Sequence, residues 1–328
     1  MALDADRRAQ LERARAVALL QRCFDVDASA VAGTAPFGVT VLTDERAWIV
    51  SMNDDLAALG GVLVWLDRHG PTEADLVVDH HAPVHARRAA VLAPELRVWR
   101  AVGDQVVPAE AEPVPPVLPR PDDTAHLEAM LLDQGLEVVC EDGLLRGELA
   151  GLEVARILHG PDGPVLEAGV GRFDREAGVL LHAGRSPTES LRDAVAQVRP
   201  HRTPGAVSHA VNRLARERWL RHLVVQDPAI VRVSMPELVE PIPPRANLLE
   251  VAPASLLATD GDRSVLVVCS VGVDLGLVPA IADLVAVHQP DEVRIVMPDR
   301  DRLPYVERAA ARLPVETTIT AIDLPWVD

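Results

Sequence analysis

The chain has 328 residues, 48% of them hydrophobic, enough for about two domains with substantial cores. It carries 49 acids against 32 basic residues, every one of the latter an arginine, for a net charge of −17. That balance repels DNA from the surface as a whole, and the lack of lysine excludes the phosphate-loop, Schiff-base and pyridoxal chemistries that need one.

Aromatic residues are only 3% of the chain, so the expected core is aliphatic. Cys23, Cys140 and Cys269 form no CxxC and would leave one thiol over from any pairing, which points to a reduced, cytoplasmic setting. Residues 1–15 are charged with no apolar signal core after them, and no apolar run is long enough to span a bilayer, so no membrane partner is expected.

In chain order, residues 4–24 read as an amphipathic helix. Residues 38–52 read as a hairpin of two β-rich runs around Thr43-Asp44-Glu45-Arg46. A helix over 55–68, a strand over 75–79, a helix over 83–92 and a strand over 96–100 follow. The prolines at 108, 113, 115, 116, 119 and 121 make residues 107–121 a semi-rigid linker, because proline donates no ladder hydrogen bond and favours extended backbone. Alternating runs at 136–140, 144–149, 151–158 and 165–170, broken by Glu141-Asp142-Gly143 and Gly160-Pro161-Asp162-Gly163, form a small antiparallel sheet. Two helices come next, one from Ser186-Pro187-Thr188-Glu189 to 198 and one over 206–223, where Val207, Val211, Leu214 and Leu220 mark a stripe. A second proline-rich linker occupies 236–244. The last segment repeats the first: a hairpin over 255–270, a helix over 274–288, a strand over 292–297, a helix over 304–313 and a strand over 315–322.

The expected fold is α/β, with two ββαβαβ open-sheet domains, 1–106 with its leading helix and 245–328, flanking a small α+β middle domain over 122–235. The shared element order suggests an internal duplication.

The run SLLATDGDRSVLVVCSV, with its following helix and βαβ continuation, resembles the core of the PD-(D/E)XK nuclease superfamily. In that family an acid on the first hairpin strand and an acid-x-lysine on the second hold a metal ion and position the nucleophile. Here Ser255, Cys269 and Val271 stand at those three places. The resemblance therefore implies a degenerate nuclease core that binds or pairs without cutting. The second strand of the opening hairpin, 47–52, offers no acid either. A second resemblance rests on Leu76-Val77-Val78-Asp79-His80-His81, which is similar to the strand-plus-Asp-His-His signature of the DHH phosphoesterases, with Asn53-Asp54-Asp55 upstream. It implies Asp79, His80 and His81 as ligands of a divalent ion such as Mn²⁺. The interval between the two segments is shorter than in that family.

Catalytic candidates are the middle-domain acids Glu141, Glu148, Glu153, Glu167 and Asp174, which cluster on adjacent expected strands or turns. Glu153 and Glu167 sit inside apolar runs, and with Asp174 they could hold Mg²⁺ or Mn²⁺ if they share a face; otherwise they are solvated or paired with Arg156 and Arg175. No other cofactor is expected. Residues 198–223 are the one basic stretch. Arg199, Arg202, Arg213, Arg216 and Arg221 suit phosphates, and Trp219 suits a base, unless these arginines pair with neighbouring acids. The expected function is a non-catalytic scaffold or regulatory protein with a protein partner, associated with nucleic acid through 198–223. The alternatives are a metal-dependent phosphoester hydrolase and a pure protein-interaction module.

Overall fold

A computed structural model describes residues 5–27, 32–43, 45–161, 163–171, 186–242, 248 and 251–326. The protein is an α/β multidomain chain that divides into two compact units. The first comprises Met1–Val114, Leu275–Ala286 and Pro304–Pro314; the second comprises Pro115–Asp274, Val287–Leu303 and Val315–Asp328.

In the first unit, helix α1 (Ala5–Phe24) precedes a sheet of six strands that lie in chain order. These are β1 (Gly33–Ala35), β2 (Gly38–Leu42), β3 (Arg46–Ser51), β4 (Glu73–Val78), β5 (Leu96–Val102) and β6 (Gln105–Pro108). The first three are antiparallel, β3 to β5 run parallel, and β6 turns back antiparallel on β5. Helices α2 (Ala58–His69) and α3 (Ala82–Leu92) make the crossovers. Val39, Val41, Val50 and Val77 pack with Leu19 and Leu20 of α1 into one core. Residues 275–286 and 304–314 are ion-paired to α2 and α3. Arg87 and Arg88 both reach Asp283 at 2.9 Å, and Arg312 reaches Asp67 at 2.6 Å.

The second unit holds two sheets. Helix α4 (Ala125–Asp133) leads into the antiparallel strands β7 (Glu137–Glu141), β8 (Leu144–Leu149), β9 (Leu152–Gly160) and β10 (Gly163–Ala168). Helix α5 (Pro187–Val198) opens with a capping box, in which Ser186 and Glu189 each satisfy the other's backbone amide. Leu131, Leu145, Leu152 and Ile157 form this sheet's core with Leu191 and Val195 of α5. Helix α6 (Arg216–Gln226) follows. The other sheet contains β11 (Ser234–Val239), β12 (Ala254–Asp260), β13 (Arg263–Cys269), β14 (Glu292–Met297) and β15 (Glu316–Ala321), again in chain order. Helices α7 (Leu277–His288) and α8 (Pro304–Ala310) link its parallel strands in sequence. β13 is a buried apolar run from Val265 on, and β14 is buried along its whole length and apolar apart from Glu292 and Arg294, as suits central strands of the sheet.

Three expectations are corrected. The helix expected over 206–223 starts only at Arg216; Ala210–Arg213 make a short 3₁₀ turn, and Ala215 is left-handed at φ 45°. The proline-rich stretch from 236 is not linker at its start, because β11 runs to Val239. Pro236 is tolerated there since β11 is an edge strand whose register shifts beside it. Likewise β6 occupies the start of the stretch from 107. Strand β1 and helix α4 were not anticipated.

The two open sheets match in strand order and direction. Arg46 pairs with Glu73 in the first and Val265 with Glu292 in the second, a constant offset of 219 (265 − 46 and 292 − 73). The offset holds without a gap through α2 and α7, at Ala58 and Leu277 and at His69 and His288. Ser51 and Ser270, Asp55-Leu56 and Asp274-Leu275, Pro71 and Pro290, and Glu73 and Glu292 are identical at this spacing.

Candidate functional site

The β7–β10 sheet turns one face to its apolar core and lays α6 on the other. Arg146 pairs with Arg156, and Glu148 with Glu153, across β8 and β9; a register shift between Gly147 and Glu148 allows this. Directly opposed residues share a face, so these four charges project together, with Glu167 of β10 opposite Arg156. The tight turn Ala150-Gly151 lets α6 approach closely. A Cβ on Gly151 would lie 2.3 Å from the Arg218 carbonyl carbon, and its φ of 76° also requires glycine.

Every carboxylate on this face meets a cation. Arg218 donates to Glu148 and, at 2.6 Å, to Glu141, while Arg221 donates to the other oxygen of Glu148 at 3.0 Å. Arg146 pairs with Glu153, Arg156 reaches Glu167 at 2.9 Å, and His222 lies 2.6 Å from Glu137. The Glu148 side chain is 0% exposed and Arg221 is buried. An isolated charge would not survive there, but paired charges do. Burial works against the Arg218 guanidinium, yet the carboxylates of Glu148 and Glu141 beside it hold its pKa above the ordinary value. Of the expected catalytic acids, Glu153 and Glu167 thus share a face but are each engaged by an arginine, and Asp174 lies outside the described residues.

The basic stretch is dismantled in the same way. Trp219 is 1% exposed and stacks on Trp326 at 4.7 Å, so it packs in the core and has no free face for a base. Arg202 is buried with its guanidinium 4.6 Å over Trp219 and donates to the carbonyls of Val211 and Leu214. Burial pushes its pKa down to about 10, with Glu148 and Glu217 opposing. Arg221 belongs to the Glu148 pair, and Arg199 donates to the Gln134 carbonyl at 2.8 Å. Arg216 is half-buried, and Arg213 is exposed. The arginines expected to form one phosphate-binding surface therefore do not share one. Glu141 and Glu148, expected with the other middle-domain acids as catalytic candidates, and Arg218 of the basic stretch pair with each other and tie the helix to the sheet.

In the first unit, Asn53-Asp54-Asp55 and Asp79-His80-His81 do converge, at the carboxyl ends of β3 and β4, where open α/β sheets bind ligands. His81 Nε2 lies 2.5 Å from Asp54 Oδ1, and Asp79 is 3.6 Å from Arg15 and 3.7 Å from His80. An open cleft of about 410 Å³ lies beside the start of α3, lined by Ala82, Pro83, Arg100 and residues 108–113. Among the described residues, no three His, Cys, Asp or Glu side chains are placed to hold a metal ion. The hairpin positions that carry metal ligands in the PD-(D/E)XK resemblance do not fit one either. Cys269 and Val271 are fully buried, and burial pushes the Cys269 thiol up to about 12, so it stays protonated. Ser255 is buried with an unpartnered hydroxyl.

No family model matches the chain, and no curated protein or solved structure matches it. Among the described residues no helix is long and apolar enough to cross a membrane.

Proposed function

We propose that this chain is a non-catalytic scaffold of the cytoplasm, built from two copies of one ββαβαβ unit around a middle domain, and that its partner is another protein. One observation carries this reading. The buried acids and arginines that could do chemistry neutralise one another, with Glu148 between Arg218 and Arg221 and Glu153 against Arg146. The gap-free 219-residue offset supports the duplication. The buried Trp219 and Arg202 favour a protein partner over a nucleic acid. The test incubates pure protein with Mn²⁺ or Mg²⁺ and labelled single- and double-stranded DNA and RNA. The expected result is no cleavage and no salt-sensitive binding that Arg213→Ala weakens. Metal-dependent cleavage that disappears in a folded Glu153→Gln variant would establish a hydrolase instead.

A further inference from the structure

The two open sheets differ at one edge. β5 and β15 are equivalents, since Ala74 pairs with Leu96 and Val293, 219 residues on, pairs with Thr317. In the first sheet the outer edge of β5 is closed by β6, which runs antiparallel from Trp99↔Pro108 to Val102↔Gln105. In the second, β15 is the last strand among the described residues. The chain after it is engaged elsewhere: the Pro325 carbonyl accepts from Gly205, and Trp326 stacks on Trp219.

An edge strand exposes a row of backbone donors and acceptors, and proteins normally blunt such edges with proline, bulges or charge. The opposite edge of this sheet is blunted in that way, because β11 carries Pro236, a register shift between Ser234 and Glu237, and the acid Glu237 itself. β15 has none of these features. It reads Glu316-Thr317-Thr318-Ile319-Thr320-Ala321, its register on β14 is unbroken, and its single charge, Glu316, is held by Arg263 at 2.8 Å.

We infer that the outer edge of β15 is a docking surface and that its occupant is β15 of a second copy, paired antiparallel across a two-fold axis. The orientation is the one β6 adopts on the equivalent edge. The sequence is self-complementary in that orientation: an axis through Thr318 sets Thr318 against Thr318 of the second copy, Thr317 against its Ile319, and Glu316 against its Thr320. β-branched residues then face β-branched residues, and no like charges oppose. Such a contact is isologous and closes as a dimer. Each copy carries −17, whereas the paired strands are almost uncharged, so added salt strengthens the association by screening the remaining surface. This edge uses none of the ion pairs in the middle domain and stands or falls independently of the scaffold reading.

Sedimentation equilibrium on the full chain across the micromolar range, at low and high salt, tests the dimer. Hydrogen exchange of the 316–321 amides on the same samples locates it. The expected result is a dimer that tightens with salt, β15 amides that exchange more slowly as concentration rises, and a folded monomer for Thr318→Lys. A monomer at every concentration and salt, or a dimer whose β15 amides show no concentration dependence, overturns the inference. The exchange measurement needs only the wild-type chain, so it decides even if Thr318→Lys does not fold.

Discussion

Asp75 on β4 and Arg294 on β14 occupy the same place in their sheets, 219 residues apart, and carry opposite charges. Around Asp75 the first sheet supplies donors: Arg46 at 2.7 Å, Arg97 at 3.0 Å and the Trp99 indole at 2.8 Å. Around Arg294 the second supplies acceptors: Asp260 at 2.5 Å, Glu292 at 2.6 Å and the carbonyls of Val231 and Arg232. The comparison teaches that strand order follows the apolar positions, while a buried polar position accepts either sign when its neighbours complement it. A charge inside a strand is therefore poor evidence of chemistry in this molecule.

The strongest way to break the comparison is to move one sheet's sign into the other. Asp75→Arg, placed against Arg46 and Arg97, is expected to cost more than about 5 kcal/mol and unfold the first unit, as read by urea melting. Asp75→Asn, which keeps the shape, is expected to cost about 2 kcal/mol. If Asp75→Arg melts like wild type, the pairing does not matter and the comparison fails.

A smaller effect separates the halves by pH. His85 is buried on α3, and burial first, then the neighbouring charges of Arg88 and His81, lowers its pKa from 6.5 to about 4. The unfolded chain takes up a proton near pH 6.5, and the folded chain does not until about pH 4. Stability present above pH 6.5 is therefore lost as the pH falls through that window, by roughly 3 kcal/mol at its end. Thr317 follows Leu96 by 221 residues, and at that spacing (306 − 85) the second half has Val306, which is buried and does not titrate. His85→Val should flatten the acid slope in urea melts at neutral pH and near pH 4; an unchanged slope would assign the acid loss to other groups.

Much of the fold was legible because its signals are local. The hairpins around 43–46 and 261–262 are bounded by β-branched runs, and Ser186 to Glu189 is a complete helix cap. What was not legible depends on partners far along the chain. Val207, Val211, Leu214 and Leu220 have helical spacing, but Val207 is 85% exposed and the left-handed Ala215 delays the helix. Pro236 reads as linker until β12 pairs with Ser234 and Glu237 on either side of it. Glu153 and Glu167 were visible as acids within strands. Their shared face comes from the register shift at Gly147, which period-2 counting does not reveal. Trp219 and the arginines beside it give no local sign that Trp326 and Glu148 will cover them.

The central claim is that the buried acids and arginines of the middle domain exist to pair with each other. A double-mutant cycle on Glu148 and Arg218, read by urea unfolding, tests it most directly. The account predicts that Glu148→Ala costs about 3–5 kcal/mol, because it takes the carboxylate from buried Arg221 and leaves buried Arg218 with Glu141 alone. It also predicts that the two sites couple by about 2 kcal/mol. If Glu148→Ala left stability unchanged or raised it, as expected for a carboxylate retained for chemistry despite its strain, the claim would be contradicted.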